Sequence, residues 1–471
     1  MGSTLDSLLD APASTQLGLM RSGVVNPSII LEGYVDRIHR NNGYLNAVVD
    51  NAFDEARSRA RALDRMSIKD RERLPLYGLC ASVKEFIATK GLSWTAGMPW
   101  RREIKAHEDA WVVDRLRAAG ALPFVASNGP EGGLWLESDN PLYGSTRNPW
   151  SRHRTPGGSS GGEGALIASA CASFGLGSDI GGSIRIPAAF CGIFGHKPSS
   201  GLVSNKGHLP APVGDLHRFL CIGPMTRSAL DLKLVMEALS PESSEWRSST
   251  KATTFYTATS SSGIQADDAM TKALNDAAYS LEMQGLRRRE LPADLFADSV
   301  EIWFAMMALS GSPEYSTLLG QRPISPLAEL VKFPFGKSNH SLPALLVSFA
   351  GEFTNLAKDR LASFQEQGEQ LKRRLDDLLG DDALILHPPY SRPAPLRHSP
   401  WLTPFHFGFT AIFNVTEHPV TQVPMGLSSR GLPVGVQVVA PHGHDLLGIN
   451  ASLTIEGAHG GWQRPPLAKV A

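Results

Sequence analysis

Residues 156–164 read Pro-Gly-Gly-Ser-Ser-Gly-Gly-Glu-Gly, and residues 177–187 read Gly-Ser-Asp-Ile-Gly-Gly-Ser-Ile-Arg-Ile-Pro. Each segment places a serine, Ser159 or Ser183, among glycines, and residues 164–174 between them predict a helix of small side chains. Glycine lets backbone N–H groups approach a ligand closely, and such groups are common oxyanion donors. A glycine-rich segment alone more often makes a turn or a linker. The apolar sequence around both segments argues against a linker here.

Lys84 is the candidate base for one of these serines, which are weak nucleophiles without one. It ends the mostly apolar run Leu-Tyr-Gly-Leu-Cys-Ala-Ser-Val-Lys, residues 76–84, which predicts a buried strand. Burial disfavours the charged form of a lysine. The reference pKa of about 10.4 has to fall by roughly three units for a lysine to act as a base near neutrality. A solvated lysine at a strand end is the ordinary alternative.

Lys84, Ser159 and Ser183, in this order along the chain, resemble the Lys/cis-Ser/Ser triad of the amidase signature family. Residues 177–198, 200–207 and 221–227 are most similar to the fatty acid amide hydrolase branch. The resemblance covers about residues 15–240 and 380–465. It implies an α/β fold, in which a large twisted mixed β-sheet is covered by helices on both faces.

The resemblance also implies an activity and a role for each site residue. The expected reaction is hydrolysis of linear amide C–N bonds through an acyl-enzyme, with apolar acyl or aryl substrates and with esters or carbamates as further substrates. Ser183 is the expected nucleophile, and Ser159 relays its proton to Lys84. The expected oxyanion donors are the N–H groups of Ile180, Gly181, Gly182 and Ser183. The expected supporting residues are Ser160, Asp179 and Arg185. This mechanism needs no cofactor, and we find no metal-ligand spacing.

The chain departs from the family pattern at two places near the expected site. Residues 127–130 read Ser-Asn-Gly-Pro, which should reshape the helix that follows and with it the acyl pocket. Glu417 lies in Thr-Glu-His-Pro, residues 416–419, where the family usually has Leu-Gly-Leu-Pro. Residues 300–309 are strongly apolar and predict either a core helix or the lining of an apolar substrate channel. The candidate substrate contacts are Asn128, Trp303 and Met307.

Three other functions remain open from the sequence. Residues 157–161 also fit a Gly-x-Ser-x-Gly elbow, which would make Ser159 the nucleophile of an α/β-hydrolase-type esterase. That elbow must follow a buried strand, whereas residues 151–156 are polar and end in proline. The second alternative is the amidase subunit of a multi-chain amidotransferase. The third is a binding protein without catalysis.

Composition limits the class of protein further. The chain has 471 residues, 42% of them hydrophobic, and 45 basic against 46 acidic residues give a net charge of −1. This balance offers no electrostatic case for a nucleic-acid partner. Four cysteines in apolar contexts predict buried free thiols. No signal-peptide pattern and no run of ~18 apolar residues occurs. We therefore expect a cytoplasmic protein without an integral membrane segment, and a homodimer stays open.

The expected organisation is a single amidase domain over residues 1–471. Residues 1–70 should form N-terminal helices, and residues 71–240 and 380–465 the catalytic core. Residues 241–380 have no recognisable counterpart in the family and are expected to be a variable helical insertion that shapes the substrate site.

Overall fold

The centre of the fold is a mixed β-sheet of eleven strands. The structure is a computed structural model that describes residues 2–240, 246, 251–292, 294–311, 314–352 and 358–467. Across the sheet the strands run β1-β3-β2-β4-β6-β5-β10-β11-β9-β7-β8. In chain order they are β1 Val48–Asn51, β2 Cys80–Lys84, β3 Leu122–Ser127, β4 Phe174–Asp179, β5 Phe194–Lys197, β6 Cys221–Thr226, β7 Thr254–Thr257, β8 Arg287–Glu290, β9 Ala383–His387, β10 Val420–Leu427 and β11 Pro433–Val439.

The strands in the interior of the sheet are buried on both faces. Alternate side chains of a strand point to opposite faces, and in β9 they enter two different apolar cores. Leu384 and Leu386 pack into the larger core, whereas Ile385 packs into a second core with Trp303 and Phe413. The predicted α/β fold with a large mixed sheet is therefore confirmed.

Helices occur along the whole described chain, and they pack against the sheet to complete both apolar cores. None of the helices in the described ranges is both long and apolar enough to cross a bilayer. In chain order they are α1 Gly2–Asp10, α2 Ala13–Arg21, α3 Pro27–Leu45, α4 Phe53–Asp64, α5 Ile68–Glu72, α6 Trp111–Ala118, α7 Gly161–Ala168, α8 Arg185–Cys191, α9 Leu216–Phe219, α10 Ala229–Leu239, α11 Asp268–Met283, α12 Ser299–Ala308, α13 Tyr315–Leu318, α14 Pro326–Lys332, α15 Leu342–Gly351, α16 Lys358–Leu379, α17 Gly408–Val415 and α18 Asp445–His459.

The helix between the two serine loops differs from the prediction. It was expected over residues 164–174, but α7 begins at Gly161 and ends at Ala168. Ala170 has a φ of 50°, in the left-handed region that interrupts a right-handed helix. The chain then enters β4 at Phe174. The first serine loop therefore leads directly into α7, and β4 carries the chain back to the second.

The region 241–380 combines helices with strands. It contributes β7 and β8 to the main sheet, and β7 runs parallel to β9 of the C-terminal part. The three arginines of β8 lie on a fully exposed edge strand. Helices α15 and α16 follow in the same region, and residues 353–357 between them lie outside the described residues.

Candidate active site

Lys84 ends β2 with its amine in the protein interior. Its side chain is buried, with 1% relative exposure, and Nζ lies 2.6 Å from Ser159 Oγ and 3.0 Å from Ser178 Oγ. Burial lowers the pKa of Lys84 to about 7, although the negative charges of nearby carboxylates act in the opposite direction. An amine with this pKa is largely uncharged just above neutrality and can accept a proton from a hydroxyl group.

The first serine loop is enclosed on all sides. Ser159 is buried, and the peptide bond that joins it to Gly158 is cis. A hydroxyl group from another loop, that of Ser138, accepts a hydrogen bond from Gly161 N at 2.9 Å and donates one to Gly157 O at 3.1 Å. These contacts fix the backbone on both sides of Ser159. The hydroxyl that faces Lys84 therefore has a fixed position.

Ser160 joins the two serine loops through its backbone and its side chain. Its N–H donates to Ser183 O at 3.1 Å. Its hydroxyl donates to Ser178 O at 3.2 Å and accepts from Ser178 N at 3.3 Å. Ser160 therefore contacts the end of β4 and the second serine loop. Its role is to hold the two loops at a fixed separation.

The second serine loop is more accessible than the first. Ile180, Gly181 and Ser183 are each partly exposed, whereas the residues that flank them, Asp179 and Ile184, are buried. In the described part of the chain, the N–H groups of Ile180, Gly181 and Ser183 have no hydrogen-bond partner. Unpaired N–H groups beside an accessible hydroxyl are the arrangement that an oxyanion site requires.

Gly182 differs from the predicted oxyanion donors. Its N–H donates to Asp179 Oδ1 at 2.7 Å, so it is not free to bind an oxyanion. The loop still requires glycine here, because φ is +117° and a Cβ would collide with the Thr410 side chain. The predicted four-donor set therefore reduces to three candidates.

Asp179 and Arg185 form a buried ion pair beneath this loop. Arg185 Nη2 lies 2.9 Å from Asp179 Oδ1, and both side chains are fully buried. Burial alone would raise the pKa of Asp179, but the charge and hydrogen bonds of Arg185 and a bond from Asn414 hold that pKa well below its usual range. Asp179 also accepts from Ile184 N at 3.0 Å. A charged Asp179 thus holds the loop backbone through these hydrogen bonds.

An apolar wall stands against the second serine loop. Trp303 of α12 donates its indole N–H to Ile180 O at 2.8 Å, and its ring would lie 3.3 Å from a Cβ at Gly181. Phe407 packs edge-on against Trp303, with ring centroids 5.0 Å apart, and Met307 joins the same apolar cluster. Trp303 therefore adjoins the loop, as a substrate contact would.

Asn128 does not have the free amide that a substrate contact needs. It is fully buried, and its Nδ2 donates to Gly144 O at 3.0 Å. Its Oδ1 accepts from Asn140 Nδ2 at 2.8 Å and from Gly129 N at 3.0 Å. Because these bonds satisfy the amide inside the protein, the expected substrate contact at Asn128 is replaced by a structural role.

The segment after Asn128 forms no regular α-helix. Residues Glu131–Gly133 make a single 3-10 turn, in which Gly132 has a φ of +64°. A Cβ at Gly132 would collide with the hydroxyl of Tyr315, which donates to Glu131 O at 2.9 Å. Tyr315 belongs to the region 241–380, so that region fills the space which the glycines leave.

Glu417 now has a physical explanation. Its φ is 68°, a left-handed conformation in which glycine is the least strained residue. Its carboxylate pairs with Arg218 at 2.6 Å, and its carbonyl accepts from Ser200 N at 3.2 Å. The ion pair offsets part of the strain that a side chain causes at this position.

The esterase alternative, with Ser159 as an elbow nucleophile, does not fit the structure. The residues before Ser159 form turns with isolated bridges at Ser151 and Arg154 rather than a buried strand. The Ser159 hydroxyl is bonded to Lys84 rather than to a histidine. Within the described ranges, no cluster of three or more metal-binding side chains occurs.

Two groups beside Lys84 could not be assigned a role from the sequence. Ser178 lies in the glycine-rich motif, and its hydroxyl contacts the Lys84 amine. His208 Nε2 lies 2.9 Å from that same hydroxyl. The sequence around His208 is a loop of glycine, leucine and proline, and nothing in it indicates a contact with Ser178 on β4.

The family model described as Amidase matches residues 30–447. The chain therefore belongs to the amidase signature family, and it is an amide-hydrolysing enzyme related to the fatty acid amide hydrolases. This confirms the family assigned from the triad residues.

Known relatives match nearly the whole chain. Fatty-acid amide hydrolase 2 of Homo sapiens is 35% identical over 471 residues, covering 95% of this chain and 88% of that protein. The acylamidase of Rhodococcus erythropolis is 27% identical, with 94% of each chain covered. A solved amidase structure superposes with a TM-score of 0.80 at 26% identity, covering 96% of this chain and 100% of that one.

Proposed function

We propose that this amidase cleaves amides of apolar acyl or aryl acids through an acyl-enzyme on Ser183. One observation carries the proposal: a buried amine, that of Lys84, is hydrogen-bonded to Ser159 at 2.6 Å beside the partly exposed loop of Ser183. A buried amine with a pKa of about 7 is suited to act as a base near neutrality.

Each proton in the proposed reaction is accounted for. The Ser183 oxygen forms a bond to the substrate carbonyl carbon, while its proton moves to Ser159 and the Ser159 proton moves to neutral Lys84. When the C–N bond breaks, the amine leaves with a proton returned by the same two groups. Water then attacks the acyl carbon and loses a proton along the same path. The bond between that carbon and the Ser183 oxygen breaks, and the relay returns the proton to Ser183, which releases the carboxylic acid.

The N–H groups of Ile180, Gly181 and Ser183 are the proposed oxyanion donors. In the described part of the chain they are unpaired, and the loop that carries them is fixed from below by Asp179. Fixed donors need no reorganisation when negative charge develops on the substrate oxygen. Loss of one such donor typically costs about 100- to 1000-fold in rate.

The preference for apolar substrates rests on the wall beside this loop. Trp303, Phe407, Met307 and Ile180 belong to one apolar cluster next to Ser183. Aromatic and methionine side chains form adaptable contacts with alkyl and aryl groups. The related enzymes named as acting on fatty-acid amides and acyl amides support the same assignment.

The test is hydrolysis of a series of primary and anilide amides of acyl chains from two to eighteen carbons. We expect kcat/KM to rise with chain length or with an aryl acid, and a Ser183→Ala variant to be inactive throughout. An alkyl fluorophosphonate should label Ser183, as located by mass spectrometry of the modified peptide. Labelling of Ser159 instead would overturn the assignment, and a preference for glutamine would overturn the substrate class.

A further inference from the structure

Beside the proposed base lies a second hydroxyl that the reaction scheme does not use. Ser178 Oγ stands between the Lys84 amine, 3.0 Å away, and His208 Nε2, 2.9 Å away. All three side chains are buried. The orientation of the Ser178 O–H bond decides whether the Lys84 amine faces a hydrogen-bond donor or an acceptor on that side.

The hydrogen bonds of His208 fix this direction. Its Nδ1 lies 2.9 Å from the carbonyl oxygen of Pro210, which can only accept, so Nδ1 carries a proton. Burial lowers the pKa of His208 to about 3, and the ring is therefore neutral. A neutral ring with a proton on Nδ1 has a lone pair on Nε2, so the Ser178 hydroxyl donates to His208.

With its proton directed at His208, Ser178 presents only lone pairs to Lys84. It must then accept an N–H from the amine. A neutral amine has two N–H bonds and one lone pair, so engaging an N–H at Ser178 leaves the lone pair for the Ser159 hydroxyl. If Ser178 could rotate, its own proton would compete for that lone pair.

We propose that His208 is a positioning residue, which acts through Ser178 to hold the Lys84 lone pair toward Ser159. The proposal rests on the proposed function, because it needs Lys84 to be the base. The same acceptor stabilises the ammonium ion that forms when Lys84 takes up a proton. His208 thus affects both the orientation of the Lys84 lone pair and the pKa of Lys84.

The backbone ties His208 to the segment that carries the base. Ile87 and His208 form an isolated antiparallel bridge, and Leu209 N donates to Phe86 O at 2.8 Å. The Phe86 ring lies 4.4 Å from Lys84 Nζ and packs edge-on against the His208 ring at 6.3 Å. The other titratable groups near the amine are Asp179, Glu163 and Glu85, and Lys84 itself is the titratable group that acts on His208.

The test compares His208→Gln with His208→Leu. The glutamine side chain can place an oxygen acceptor near the position of Nε2, whereas leucine cannot accept. We expect His208→Leu to lower the rate of Ser183 labelling by an alkyl fluorophosphonate about tenfold, the effect of one hydrogen bond. Its pH–rate profile should retain activity to lower pH, because Ser178 without its bond to His208 is a weaker acceptor for the ammonium, which then loses its proton more readily. His208→Gln should recover most of the rate and the original profile.

A double substitution separates positioning from packing. In a Ser178→Ala background, His208→Leu should have little further effect, because the group through which it acts is already absent. A full additional tenfold loss, or a His208→Gln variant no better than His208→Leu, overturns the proposal. Should His208→Leu fail to fold, Ser178→Ala against Ser178→Thr gives the same comparison, with the profile shift expected only for alanine. Full labelling of Lys84→Ala would instead refute the proposed function, whereas an inactive Lys84→Ala with unaffected His208 variants refutes only this inference.

Discussion

The two serine loops have similar sequences but different surroundings. Ser159 is buried and bonded to Lys84, and its loop is fixed by Ser138. Ser183 is partly exposed. Its loop is held on the buried side by the ion pair of Asp179 and Arg185, and on the other side it contacts the ring of Trp303. Only the second loop combines an accessible hydroxyl with unpaired N–H groups. Two serines in similar glycine-rich segments therefore differ in burial, and this difference indicates which of them can reach a substrate.

The largest expected effect comes from exchanging the serines in turn. Ser183→Ala should lower kcat/KM on an acyl amide by about 10⁴-fold or more and abolish fluorophosphonate labelling, because the bond-forming oxygen is lost. Ser159→Ala should lower it by about 10²- to 10⁴-fold but leave slow labelling at Ser183. Ser160→Ala, the neighbouring control, removes only a hydroxyl that bonds to the Ser178 backbone and should cost about tenfold or less. Equal losses in all three would contradict the difference between the loops.

The next effect concerns Lys84, the proposed base, whose amine is hydrogen-bonded to Ser159 in the buried loop. Lys84→Met should lower the labelling rate by about 10²- to 10⁴-fold. In the unsubstituted protein the rate should rise as the pH passes about 7, because Lys84 accepts a proton only above its lowered pKa. Lys84→Met should lose this rise.

A second buried lysine offers a matched control. Burial also lowers the pKa of Lys197, whose amine donates to Pro198 O at 2.9 Å rather than to a serine. Lys197→Met should keep the rise near pH 7. If Lys84→Met kept it and Lys197→Met lost it, Lys84 would not be the titrating base.

A smaller effect is expected from Trp303, which belongs to the apolar wall against the second serine loop. Trp303→Ala should lower kcat/KM on long-chain or aryl amides by about 10- to 100-fold, the magnitude of one large apolar contact. Acetamide, which cannot reach the wall, should be affected less. Trp303→Phe retains a ring but loses the N–H bond to Ile180 O, so it separates apolar contact from loop support. Equal losses on acetamide and on a long-chain amide would show that Trp303 only supports the loop.

The smallest effect compares two left-handed positions. Gly182 has both a positive φ and no room for a side chain, whereas Glu417 has the positive φ alone. Glu417→Gly relieves strain but loses the Arg218 pair, so we expect its free energy of unfolding to change by less than about 1 kcal/mol. Glu417→Ala loses the pair and keeps the strain, and should be less stable than Glu417→Gly by about 1 kcal/mol. Denaturant unfolding measures both, and a glycine variant less stable than the alanine variant would contradict this explanation.

The fold elements around the site could be predicted where residue pattern and environment agree. The apolar run that ends in Lys84 predicted a buried strand and a perturbed lysine, and both are present. The apolar helix α12 was also predicted from local pattern and is confirmed. In these segments, tertiary packing reinforces the local preference.

The remaining site features depend on contacts between distant segments. Gly182 seemed a further oxyanion donor, but the direction of its N–H is decided by Asp179, which the ion pair with Arg185 keeps charged. Asn128 seemed exposed to substrate, but Asn140 satisfies its amide. His208 reaches Ser178 only because its loop pairs with the segment after Lys84. A local sequence pattern cannot predict these contacts, because the residues that make them are far apart in the chain.

The exposed arginine strand at the end of the sheet has a consequence for self-association. β8 presents Arg-Arg-Arg-Glu along an open edge, and all four of its residues are exposed. Joining two copies through this edge would place several guanidinium groups opposite one another, which disfavours pairing. The charge of β8 thus terminates the sheet, and a dimer of this enzyme would have to form through a different surface.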